Sequence, residues 1–190
     1  VAIRYTNHSP DALPYLWLHL EQNAFRPDSA NSLMRQNEGR FGNRNPFSGG
    51  FKVASVTVDG RPAELRVFDT VGRIDLASPL AARGGTTTIE LEYSFVIPDY
   101  GSDRMGIHES PEGPIFEIAQ WFPAMCVYDD VHGWNTLPYL GQGEFYTNVG
   151  SFDVSLTVPR THIVVATGEL QNPAEVLTAG TWSSPSGTAE

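Results

Sequence analysis

Alternation with a period of two runs through this chain and restricts it, more than any other feature, to a β architecture. Leu16, Leu18 and Leu20 fall on one face of a segment whose other face carries Tyr15, Trp17 and His19. Thr87, Ile89, Leu91, Tyr93 and Phe95 alternate with Thr88, Glu90, Glu92 and Ser94 across residues 86–96. Pro98 ends that run, because proline has no N–H to give to a ladder. Residues 53–58 and 63–67 flank Asp59-Gly60, the dipeptide that supplies the positive φ angles of a two-residue hairpin turn.

Further strands are expected at Ile115–Ile118, Phe152–Val158 and His162–Thr167, with turns at Gly168 and Asn172-Pro173. One short helix is expected, capped by Asp28 or Ser29 and running to about Gln36 with Leu33 and Met34 as its apolar side. A polar, glycine-rich loop follows from Gly39 to Gly50. The expected fold is all-β: a single twisted β-sandwich or saddle-like domain of antiparallel and mixed sheets, with at most one short helix. Residues 1–182 are assigned to that domain and the small, polar stretch 183–190 to a frayed tail.

Composition narrows the functional classes. Twenty-two acids against 12 bases give a net charge of -10, which repels phosphate backbones and anionic membranes and argues against nucleic-acid binding. No apolar run approaches the roughly 20 residues that span a bilayer. Val1 enters a strand-like segment directly, with no basic start and apolar block of a signal peptide. A single cysteine, Cys126 between Met125 and Val127, excludes an internal disulfide framework and reads as a buried thiol. A periplasmic protein need not contain disulfides, and an extracytoplasmic or membrane-associated location is expected over a cytoplasmic one.

The histidines offer little zinc chemistry. His108-Glu109-Ser110-Pro111-Glu112 starts like H-E-x-x-H, but Glu112 stands where the second imidazole belongs and Pro111 breaks the helix that spacing needs. Asp99–Asp103 lacks the ordered alternation of a calcium loop. His132, beside Asp129 and Asp130, could serve as a general acid or base in a small hydrolase. The competing reading is a loop in which one of those aspartates caps backbone N–H groups. Trp121, Phe122, Trp134 and Tyr139 could form an aromatic platform for a sugar or peptide in a free-standing binding module, or could be core and corner residues.

Taken together, Gln120-Trp121-Phe122-Pro123, Tyr128-Asp129-Asp130, Gly133-Trp134-Asn135 and Gly141–Phe145 form a distinctive series. With Leu16–Leu20, Gln22-Asn23, Phe152–Pro159 and Val165–Leu170 around it, the chain resembles the N-terminal β domain of aminopeptidase N-like zinc metallopeptidases, the gluzincin aminopeptidases, and most of all a bacterial branch. The resemblance implies a non-catalytic domain that packs on a following catalytic domain and walls one side of its substrate cleft. Zinc would belong to that catalytic domain, with no cofactor, catalytic residue or metal ligand in this chain. It also implies that a glutamine or glutamate holds the free amine of the peptide substrate, with Gln120 the first candidate and Glu144 the second. The implied partners are the catalytic domain itself and the peptide N-terminus. An apolar docking face on the isolated domain could also support a homodimer.

Overall fold

The computed structural model describes residues 1–34, 47–99, 105–138, 140 and 146–177. The first half of the chain forms β1 (Ala2–Asn7), β2 (Leu13–His19), a 3-10 helix (Glu21–Phe25), α1 (Ala30–Met34), β3 (Lys52–Val58), β4 (Arg61–Pro62) and β5 (Leu65–Phe68). There follow β6 (Val71–Leu80), β7 (Gly85–Ser94), β8 (Met105–Ser110), β9 (Gly113–Ile118), β10 (Ala124–Met125), β11 (Tyr128–Asp129), β12 (Gly133–Trp134) and α2 (Pro173–Val176). The chain divides into two units, Val1–Val149 and Gly150–Glu190.

The first unit is built on two four-stranded sheets, ordered β1-β7-β3-β4 and β10-β2-β6-β5, with β8-β9 and β11-β12 as separate two-stranded ribbons. Every described ladder is antiparallel. The alternation sets which face is buried. Leu16, Leu18, Ile74 and Ile89 are fully enclosed and belong to one cluster with Leu13, Leu20, Val56, Leu80, Leu91 and Met125. Because that cluster draws on both four-stranded sheets, each sheet covers the apolar face of the other, as in a β-sandwich. Pro14 falls where the β2–β6 register shifts, a bulge being the place in a paired strand that tolerates a missing N–H.

The expected hairpin at Asp59-Gly60 forms, but it is shorter than the alternation suggests. Asp59 and Gly60 take φ values of 49° and 74°, and β3 pairs across them with Arg61 and Pro62. The N–H of Ala63 still reaches the Val56 carbonyl at 3.0 Å; β5 then leaves the sheet and pairs with β6 in the other one. Asp59 fastens the turn to β7, its carboxylate accepting from the Thr88 N–H at 2.8 Å and the Thr87 hydroxyl at 3.0 Å.

Two further expectations are corrected. Ser29 caps α1, its Oγ accepting the Ser32 N–H at 3.1 Å, but Leu33 and Met34 are exposed and Asn31 is the buried residue. A helix of one turn is too short to present an apolar stripe, and here polar bonds anchor it instead: Asn31 Nδ2 and the Ser29 hydroxyl both donate to the Ala24 carbonyl. Second, residues 150–170 form no strand, and Phe152, Val154, Leu156 and Val158 are exposed in this second unit. Alternation gives a segment an apolar face but does not supply the neighbouring strand that its backbone needs. Gln36, the loop 39–46 and the tail 183–190 lie outside the described residues.

Candidate functional site

The loop between β9 and β10 carries Gln120. Its backbone φ is 53°, a left-handed conformation that costs a residue with a side chain roughly 1–2 kcal/mol. Holding it is Gln22, on the 3-10 helix directly after β2. Gln22 is 1% exposed, and its Nε2 donates to the carbonyl oxygens of Ala119 at 3.1 Å and Gln120 at 3.2 Å. Gln22 Oε1 is buried and has no hydrogen-bond partner among the described residues. Gln120 itself is half-buried. Trp121 and Phe122, next in the loop, pack edge to face at 5.1 Å and 76°.

The ground under the loop is polar and largely dry. His19 ends β2 and faces Ala124 of β10; its Nδ1 lies 3.4 Å from Glu21 Oε1. Burial pushes the Glu21 carboxyl up to about 7 and pushes the His19 imidazole down. Both shifts favour the neutral forms. Glu21 Oε2 is buried and has no hydrogen-bond partner among the described residues. Cys126 is fully enclosed, and its thiol is pushed up to about 12, first by burial and then by the charge of Glu21. That thiol is a packing group, as the sequence suggests, and a poor nucleophile.

Of the two readings that the sequence offers for the turn at Asp129, the cap is the one that forms. Asp129 Oδ1 accepts the backbone N–H groups of Val131 at 3.0 Å and His132 at 2.7 Å, while Oδ2 accepts Asn135 Nδ2 at 2.8 Å. The hydrogen bond from the His132 N–H, followed by that from Asn135, lowers the Asp129 pKa. The His132 ring is exposed, 3.8 Å from that same Oδ1.

Of the aromatic residues read as a platform, Trp134 takes a corner position. Trp134 packs against Tyr5 at 6.2 Å and Tyr128 at 5.3 Å, with the ring planes tilted by 37° and 71°. It also backs onto the hydrophobic core, which is the corner role. The Tyr128 hydroxyl donates to Asp11 Oδ2 at 2.9 Å, tying this corner to the β1–β2 connection.

Of the two site residues read from the sequence, Gln120 lies in the strained loop just described and Glu144 lies outside the described residues. Tyr139 lies outside them as well. Gln22 and Glu21 were not singled out as site residues from the sequence. The one signal they gave was the place of Gln22-Asn23, two amides set directly after an alternating apolar run that ends at Leu20. Among the described residues, no three of His, Cys, Asp and Glu are grouped so as to hold a metal ion, and no helix is long and apolar enough to cross a membrane. No family model, curated protein or solved structure matches the chain.

Proposed function

We propose that this chain is the non-catalytic N-terminal β domain of a zinc aminopeptidase-like peptidase, packing on a catalytic domain and contributing Gln120 to the recognition of a peptide N-terminus. The observation that carries the reading is the backbone of Gln120. A left-handed glutamine, clamped at two carbonyls by a buried side chain from elsewhere in the sequence, is strain of the kind found where a side chain must be aimed. Chemically the role suits an amide: its oxygen accepts from an ammonium group without adding charge, and its N–H₂ remains available to a carbonyl of the peptide.

Zinc would polarise the scissile carbonyl and activate water, and the described residues here present no donor set for it. No step is assigned to a metal in this chain. Its contribution would be to bind and orient the amine end of the substrate. The second reading, a sugar- or peptide-binding module, is weakened at Trp134, whose ring packs edge to face on Tyr128 and backs onto the core.

Reading the source gene beyond Glu190 tests the proposal. An H-E-x-x-H motif with a downstream glutamate within the following domain is the expected result. A stop codon shortly after that point would overturn it and turn attention to glycan binding.

A further inference from the structure

We propose that Gln22 is the positioning residue of the Gln120 loop, using both N–H groups of its side-chain amide to hold Gln120 left-handed. The inference builds on the reading of Gln120 as the amine contact. Among the described residues, four that are not glycine have positive φ: Asp59, Asp69, Arg83 and Gln120. Arg83 lies in the β6–β7 connection between the two sheets, where its N–H donates to the Ser9 carbonyl at 2.9 Å. Asp59 and Asp69 lie in the hairpin turns β3–β4 and β5–β6, which call for left-handed residues, and aspartate tolerates that region. Gln120 is in no such turn. It lies where the chain passes from the β8-β9 ribbon to the edge of the β10-β2-β6-β5 sheet, so its conformation needs an outside cause.

Gln22 supplies that cause across 98 positions of sequence. Its amide orientation is forced, since the flipped form would set Oε1 against two carbonyl oxygens. The residue tolerates an unpartnered acceptor in order to aim both donors at the loop. Its footing is fixed too: neighbouring Asn23 donates to the Asp69 carbonyl at 3.0 Å and accepts the Phe51 N–H at 2.9 Å. Glutamine is the fitting side chain here, because a carboxylate of the same size offers no donor and a methionine offers none either.

A double-mutant cycle with Gln22→Met and Gln120→Gly, read by equilibrium denaturation of the 190-residue chain, tests the clamp. Gln22→Met is expected to lower the folding constant about tenfold with glutamine at 120, through the two lost hydrogen bonds. With glycine at 120 the loss is expected to shrink to about threefold or less, because glycine adopts positive φ unaided. Equal losses in both backgrounds would overturn the clamp. Should Gln22→Met not fold, Gln120→Gly alone decides: relief of strain is expected to raise the folding constant about fivefold, and a fall would overturn it.

Titration with L-alanyl-L-alanine, followed at the Gln120 side-chain amide resonances by NMR, separates positioning from mere support. Wild type is expected to respond to the free dipeptide and not to its N-acetyl form, with the response lost in Gln22→Met. The doubly substituted chain carries no amide at 120 and enters only the stability cycle. A wild-type affinity in Gln22→Met would overturn the positioning role. No response in wild type would remove the amine-contact reading, and the denaturation cycle would still decide the clamp.

Discussion

Asn7 shows how far one buried amide can tie this fold together. It is fully enclosed; its Nδ2 donates to the carbonyls of Asp11 at 2.7 Å and Ala81 at 3.0 Å, and its Oδ1 accepts the N–H and hydroxyl of Ser9. Asn7→Ala leaves those carbonyls without their donor, and a loss of about 2–4 kcal/mol is expected by urea denaturation. Glu21 gives the pH dependence. Its folded pKa of about 7 exceeds its value in an unfolded chain, so the folded state binds the proton more tightly. The stability this confers is complete below about pH 4.5 and is lost as pH rises through about 7, by roughly 3 kcal/mol in all. His19 runs the other way: its lowered pKa makes stability fall as pH drops through the ordinary imidazole range. Comparing Glu21→Gln with wild type isolates the first effect. The variant is expected to gain relative to wild type from pH 5 to 8, and parallel stability curves would refute the assignment. Gln120 was readable from the sequence as a candidate, but its strain was not, because the residue that holds it lies at the far end of the first unit.

Among the described glycines, Gly85 at the start of β7 has the least room for a side chain. A Cβ on Gly85 would stand 2.3 Å from the Ala81 carbonyl oxygen and 2.8 Å from its nitrogen, and backbone cannot yield as a side chain can. Gly85→Ala is therefore expected to cost about 1–3 kcal/mol, measurable as a drop in melting temperature. Gly60→Ala meets no neighbour, so its cost is confined to the left-handed backbone. Equal effects at the two positions would contradict this account. The Asp59-Gly60 turn was visible from two residues because turn chemistry is local. The departure of β5 to the other sheet was not, since the pattern 63–67 suits either neighbour equally.

At the scale of the whole molecule, every buried member of the hydrophobic core cluster among the described residues lies between Leu13 and Met125. A chain ending at Val149 therefore keeps that cluster, and its thermal unfolding is expected to stay cooperative with a midpoint within a few degrees of that of the 190-residue chain. A collapse of that midpoint would show that the second unit contributes to the core.

The sequence by itself determined the all-β class, the buried face of β2 and β7, the Asp-Gly turn and the inert character of Cys126. Each follows from neighbours a few residues apart, through strand periodicity, turn geometry or local apolarity. Only the tertiary structure decided that β5 joins the second sheet, that Asp129 is a cap, that Trp134 is a corner and that Gln22 holds Gln120. Those depend on which distant backbone groups must find a hydrogen-bond partner once the two sheets close on each other, and no local pattern encodes that choice.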